Sequence, residues 1–162
     1  MGSLSEWLSA FRELHERARR GALGPGEQAA YRRGRDELAR ALLTAQCLTL
    51  KSGETPRQAL RVARALQLEL DLPTARQRAF TIDVSTGGFS THLDRSLPVG
   101  EELGVSLRLP AAEPVVCRAR ITDVRPQAGQ VRVAARFEGM PPADRERLEL
   151  FVFDTVLAQL VR

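Results

Sequence analysis

The sequence predicts an α+β chain: an N-terminal helical hairpin, then six antiparallel strands forming a barrel or sandwich, then a closing helix. Three observations carry this prediction. Apolar residues recur at helical spacing as far as Leu50. After Lys51-Ser52-Gly53-Glu54 the spacing changes to alternation, and after Pro141-Pro142 it turns helical again. At 162 residues the chain suits one ordinary domain or a smaller one with a substantial appendage. The change of period places the boundary between a helical part, 1–54, and a β domain, 55–162.

The first helix opens on a capping box, Ser3-x-x-Glu6, in which each side chain satisfies a backbone N–H of the other. Leu4, Trp7, Leu8, Phe11, Leu14 and Ala18 then share one face. Gly21 and Gly24-Pro25-Gly26 end that helix, and Pro25 suits the start of a second. The second runs from about Glu27 to Leu50 through Tyr31, Leu38, Leu42, Ala45 and Leu48, and Ser52-Gly53 stops it. Two amphipathic helices must cover their apolar stripes. They can pack on the domain that follows, form a homodimer, or receive a protein partner.

In the β domain, Leu66, Leu68, Leu70 and Leu72 alternate with polar residues. Phe80, Ile82 and Val84 are the expected buried face of the next strand, with Asp83 on its polar side. Phe89, Thr91 and Leu93 follow, then Leu103–Leu109, Val115–Ile121 and Val131–Phe137. Pro73, Pro98-Val99-Gly100, Pro110 and the turn Pro126-Gln127-Ala128-Gly129 punctuate the runs. The last helix, from Asp144 to Leu160, starts just after Pro141-Pro142.

Composition excludes several classes. A hydrophobic content of 43% with 27% charged residues argues against wholesale disorder. Cys47 and Cys117 are too few and too far apart for a disulfide framework or a zinc signature, so both read as small buried residues. Met1-Gly2 fails the myristoylation pattern because Glu6 stands where Ser or Thr is needed. No signal peptide or membrane-length apolar run is visible, which predicts a soluble, cytoplasmic protein without membrane insertion. His15 has no companions at ligand spacing and reads as a surface histidine, so no metal site is expected. His92 could be drawn into a triad with Ser85 or Ser90 and Asp94, but alternation puts it on the solvent face. No nucleophile elbow supports catalysis, and the chain is not expected to be an enzyme.

Lys51 is the single lysine among 24 basic side chains, and the net charge is +4. Such an arginine bias is mostly compositional, so only particular positions carry an argument. One is Arg57-Gln58-Ala59-Leu60-Arg61, with two guanidiniums four residues apart. The other is Asp83-Val84-Ser85-Thr86-Gly87-Gly88. A carboxylate can accept from the N1–H and 2-amino group of guanine, and arginine pairs bidentately with guanine O6 and N7 or with phosphate. Ser85 can donate to phosphate or bond its own turn, and Gly87-Gly88 tolerates positive φ and close approach. Both patches converge on a guanine nucleotide. A blander assignment pairs Arg57 and Arg61 with Glu54 and Asp83 at the surface.

The pairing of Arg-x-x-x-Arg with Asp-x-Ser-x-x-Gly, in that order, resembles the PilZ domain family. The likeness covers about Thr55 to Leu160. It implies a six-stranded antiparallel β-barrel with a C-terminal helix, and cyclic di-GMP as ligand with no cofactor. Arg57 and Arg61 would wrap the ligand, Asp83 and Ser85 would meet it from the barrel surface, and Gly88 would keep the floor open, with Gln58 and Gly87 as additional contacts. Arg64, Arg76 and Arg78 fall outside the motif and are expected to be solvated. The resemblance further implies a receptor acting in motility, biofilm or related surface behaviour. The hairpin is not part of the minimal domain, and closing the arginine loop on the ligand would reposition it. The alternative is a PilZ-fold adaptor that binds protein and no nucleotide. Nucleic acid is disfavoured as a partner because the single Trp and Tyr lie in the helical part, leaving the barrel poor in stacking residues.

Overall fold

The computed structural model describes residues 3–48, 60–110 and 112–160. Arg57, Gln58, Glu54, the stop at Ser52-Gly53, the 54/55 boundary and the side chain of Cys47 lie outside the described residues. Among those described are three helices and six strands: α1 (Leu4–Arg19), α2 (Pro25–Leu48), β1 (Gln67–Asp71), β2 (Arg76–Val84), β3 (Gly88–Leu93), β4 (Glu102–Leu107), β5 (Val115–Gln127), β6 (Gln130–Glu138) and α3 (Pro142–Gln159). They fall into two compact units. One comprises Met1–Leu60 with Phe153–Arg162, the other Arg61–Val152. The last turns of α3, from Phe153, fall in the first unit.

In the helical unit the capping box forms as expected. Glu6 N–H donates to Ser3 Oγ at 3.2 Å and Ser3 N–H to Glu6 Oε2 at 2.7 Å. Phe11 stacks between Trp7 and Tyr31, with ring centroids 5.4 and 5.5 Å away. Arg35, buried, lies 5.2 Å from the Tyr31 ring and 5.9 Å from that of Phe153. His15 corrects its surface assignment. It is 2% exposed, with Nδ1 2.7 Å from the Tyr31 hydroxyl and Nε2 3.5 Å from Asp154 Oδ1. The helical pattern places His15 one turn after Phe11, on the face that α2 and the end of α3 cover. Burial is the main cause holding its pKa below the usual histidine value, and the Arg19 charge acts in the same direction. Asp154 and, more weakly, Glu16 oppose them.

In the barrel unit the strand order is β1-β2-β3-β6-β5-β4, antiparallel throughout and closed by β1 on β4. Leu68, Leu70, Val84, Phe89, Leu93, Leu103, Val105, Leu107, Val115, Ile121 and Val133 fill the interior, and Leu148 and Val152 of α3 are buried as well. β5 and β6 run further than their apolar alternation suggests. The hairpin zips to Gln127↔Gln130 through a two-residue turn in which Ala128 and Gly129 have φ of 50° and 81°. Pro126 fits inside this extension because β4 pairs with β5 only as far as Arg120, so the missing N–H is not demanded by β4. Cys117 of β5 is half-buried. Burial, with the Asp144 charge adding to it, pushes its thiol up to about 11, so it is a neutral thiol at pH 7.

One face assignment needs correction. Phe80, expected inside, is 64% exposed, and Thr81 is buried in its place. The pairing of β2 with β3 shifts register between Thr81 and Asp83, and a bulge exchanges the faces of a strand on either side of it. Thr81 can lie inside because its hydroxyl is fully used. It accepts from Leu66 N–H at 2.8 Å and donates to the Arg64 carbonyl. Asp83 remains on the outer side.

Candidate functional site

The end of β2, the turn after it and the segment before β1 meet at one place. Val62 and Val84 form an isolated antiparallel bridge, Val62 N–H to Val84 O at 2.9 Å and Val84 N–H to Val62 O at 3.0 Å. Both valines are buried, which anchors the pair from the apolar side. The bridge sets Arg61 beside the turn and brings Arg61 Nη1 within 3.6 Å of Asp83 Oδ1. The two sequence patches thus meet through Arg61 and Asp83. This is also the ion pair foreseen in the blander assignment.

The turn is held internally. Ser85 N–H donates to Gly88 O at 2.8 Å, and Ser85 Oγ accepts from Gly87 N–H at 3.1 Å and Gly88 N–H at 3.2 Å. Gly87 O accepts from Phe137 N–H of β6 at 2.9 Å. Ser85 is buried, its hydroxyl occupied by the turn. Gly88 is a requirement of packing: a Cβ there would lie 2.2 Å from the Ala135 carbonyl oxygen. Of the two properties that the glycine pair allows, positive φ is not used, since the positive-φ glycines among the described residues are 21, 100, 129 and 139. What Gly88 provides is close contact between β3 and β6.

Asp83 is mostly covered, its side chain 13% exposed, and a second guanidinium reaches it. Arg132 of β6 places Nη2 3.4 Å from Asp83 Oδ2 and 3.5 Å from Ser90 Oγ. Arg132 does not stand out in the sequence, and Ser90 does so only beside His92. Strand pairing brings them to Asp83: Ser90 lies opposite Asp83, and β3 with β6 sets His92 opposite Arg132 and Ser90 opposite Ala134, all on the outer side. Arg64 is exposed, as expected, and also lies 5.3 Å from the Phe151 ring in a cation–π contact. Arg76 and Arg78 sit at the surface beside Asp71 and Glu69, as expected. His92 is exposed, its Nε2 2.8 Å from Gln127 Oε1. Among the described residues no cluster of three or more His, Cys, Asp or Glu could hold a metal ion.

A family model, the PilZ domain, matches residues 55–154, which include both motifs and the whole barrel. The chain belongs to the PilZ domain family. Its PilZ fold is similar to MotI/DgrA, the inhibitor of motility of Bacillus subtilis, at 20% identity and a TM-score of 0.59 over 65% of this chain and 54% of that one. It is also similar to Escherichia coli YcgR solved with c-di-GMP, at 18% and 0.55, covering 65% and 50%. A third likeness is to the K. pneumonia MrkH–c-di-GMP complex, at 14% and 0.60, covering 66% and 55%. At such identities these are likenesses of fold, and the chain spans about half the length of each of these three relatives. No curated protein matches the sequence.

Proposed function

We propose that this PilZ chain is a receptor for cyclic di-GMP, binding it between the arginine segment and the outer face of β2. The observation that carries the reading is the approach of Arg61 to Asp83 at 3.6 Å, imposed by the Val62–Val84 bridge. A cation for phosphate or the guanine Hoogsteen edge and an acceptor for guanine N1–H and the 2-amino group are thereby set side by side. In this reading Arg57, Gln58 and Arg61 close over the ligand, while Asp83, Ser85, Gly87 and Gly88 form the platform beneath it. Ser85 and Gly88 contribute through the shape of the turn, since both are already committed to it. The complexes of YcgR and MrkH with c-di-GMP support the choice of ligand.

The chain is read as a cytoplasmic receptor without catalysis, its output a change in protein–protein contact. A role in motility or surface behaviour is supported by the likeness to an inhibitor of motility. The output element is the helical hairpin. In its unit, Leu4 and Leu160 are exposed on a groove also lined by Leu8 and Leu157, apolar surface suited to a second copy of the chain or another protein. No described helix is long and apolar enough to cross a membrane.

Calorimetric titration with cyclic di-GMP tests the reading. Arg61→Ala is expected to weaken binding by at least about 1.5 kcal/mol, roughly tenfold, through lost charge-assisted hydrogen bonds. An unchanged affinity would remove Arg61 from the site. A wild-type chain that takes up no ligand would leave the adaptor reading in its place.

A further inference from the structure

We infer that Arg132 is a positioning residue of the nucleotide site: it is the permanent counter-charge of Asp83, which lets Arg61 transfer from Asp83 to the ligand. This rests on the receptor reading above.

The two arginines approach opposite oxygens of one carboxylate. Arg61 Nη1 faces Oδ1 at 3.6 Å, and Arg132 Nη2 faces Oδ2 at 3.4 Å. Their side chains are about equally exposed, at 35% and 37%. What differs is the anchoring of their backbones. Arg132 lies inside β6, paired with His92 of β3 on one side and Arg125 of β5 on the other. Arg61 precedes a single bridge residue and belongs to no strand. A ligand phosphate can therefore draw Arg61 away by breaking little, whereas Arg132 stays with the barrel.

Asp83 needs the cation that remains. A mostly covered carboxylate left without a partner is costly, so moving its sole counter-charge onto a ligand would oppose binding. With Arg132 on Oδ2 the carboxylate keeps a cation throughout. Ser90, 1% exposed, adds a second contact for the same Nη2 at 3.5 Å and fixes the fork in place. Oδ1 is the oxygen that Arg61 would vacate. It is buried and has no hydrogen-bond partner among the described residues, so it is the atom best placed to accept from guanine. Arg132 thus decides which oxygen reads the base without touching the ligand.

A double-mutant cycle on the full chain, titrated with cyclic di-GMP, tests this. Arg132→Gln is expected to weaken binding about tenfold, and Arg132→Lys, which keeps the charge, to stay within about threefold of wild type. In an Asp83→Ala background neither change should weaken binding further, because coupled residues are non-additive. An unchanged affinity in Arg132→Gln overturns the inference. So does a loss in Arg132→Lys equal to that in Arg132→Gln, or any further loss in the Asp83→Ala background, which would mean direct contact with the ligand. Should Arg132→Gln fail to fold, the lysine variant in both backgrounds carries the same test. Absence of binding by the wild-type chain overturns the receptor reading and this inference together. Binding by wild type with an unaltered Arg132→Gln overturns only the second.

Discussion

Gly88, a residue of the proposed ligand platform, is required by packing. It occupies the last position of the Asp-x-Ser-x-x-Gly motif, yet the atom that forbids a side chain is the Ala135 carbonyl oxygen, 2.2 Å from where a Cβ would stand. Gly88→Ala should therefore destabilise the barrel by about 1–3 kcal/mol, the range for overpacking a close contact. Thermal unfolding checks this without any ligand, and an unchanged midpoint would show that β3 can move aside. Ser85 has a similar double character, since removing its hydroxyl strips a partner from two backbone N–H groups. A binding loss at either residue has meaning only beside a measured stability.

At the level of single elements, α1 carries a pH dependence that its sequence did not announce. His15 has its pKa held down by burial, chiefly, so the folded state favours the neutral ring more than the unfolded chain does. The associated stability is fully present above about pH 6.5, the unfolded value, and is lost as pH falls through the lower folded value. The melting temperature should fall between pH 7.5 and 5.5, and His15→Gln should flatten that part of the profile. An equal slope in the variant would place the titrating group elsewhere. The reading of His15 failed because one turn of helix beyond Phe11 looks the same in sequence whether a neighbour covers it or water does. β2 failed for a related reason. Alternation marked all six strands, but the register shift between Thr81 and Asp83 reversed the face of Phe80, and a bulge leaves no trace in hydropathy. The motif residues Arg61, Asp83, Ser85 and Gly88 were legible because they cluster within short stretches. Arg132 was not, because its relation to Asp83 depends on the pairing of β3 with β6 across 49 residues of chain.

For the whole molecule, the question is whether messenger binding reaches the helices. The segment holding Arg57 and Arg61 joins the hairpin to the barrel in sequence, so ligand contact with it is proposed to alter the hairpin's dynamics. Amide hydrogen exchange with and without cyclic di-GMP addresses this at each element. Slower exchange at Val62 and Val84 together with changed exchange in α1 or α2 is expected, while protection confined to the barrel would show that the hairpin does not respond. The closed strand order limits the form that any downstream contact can take. Because β1 is hydrogen-bonded to β4, the described barrel closes without an edge strand, and β5 beyond Arg120, paired with β6 alone, is a short stretch whose other edge no strand covers. Strand addition, the backbone-driven mode that tolerates many sequences, has little room where the strands are paired on both sides. Whatever recognises that closed wall must read its side chains, which makes discrimination between related receptors in one cell a matter of a few surface residues.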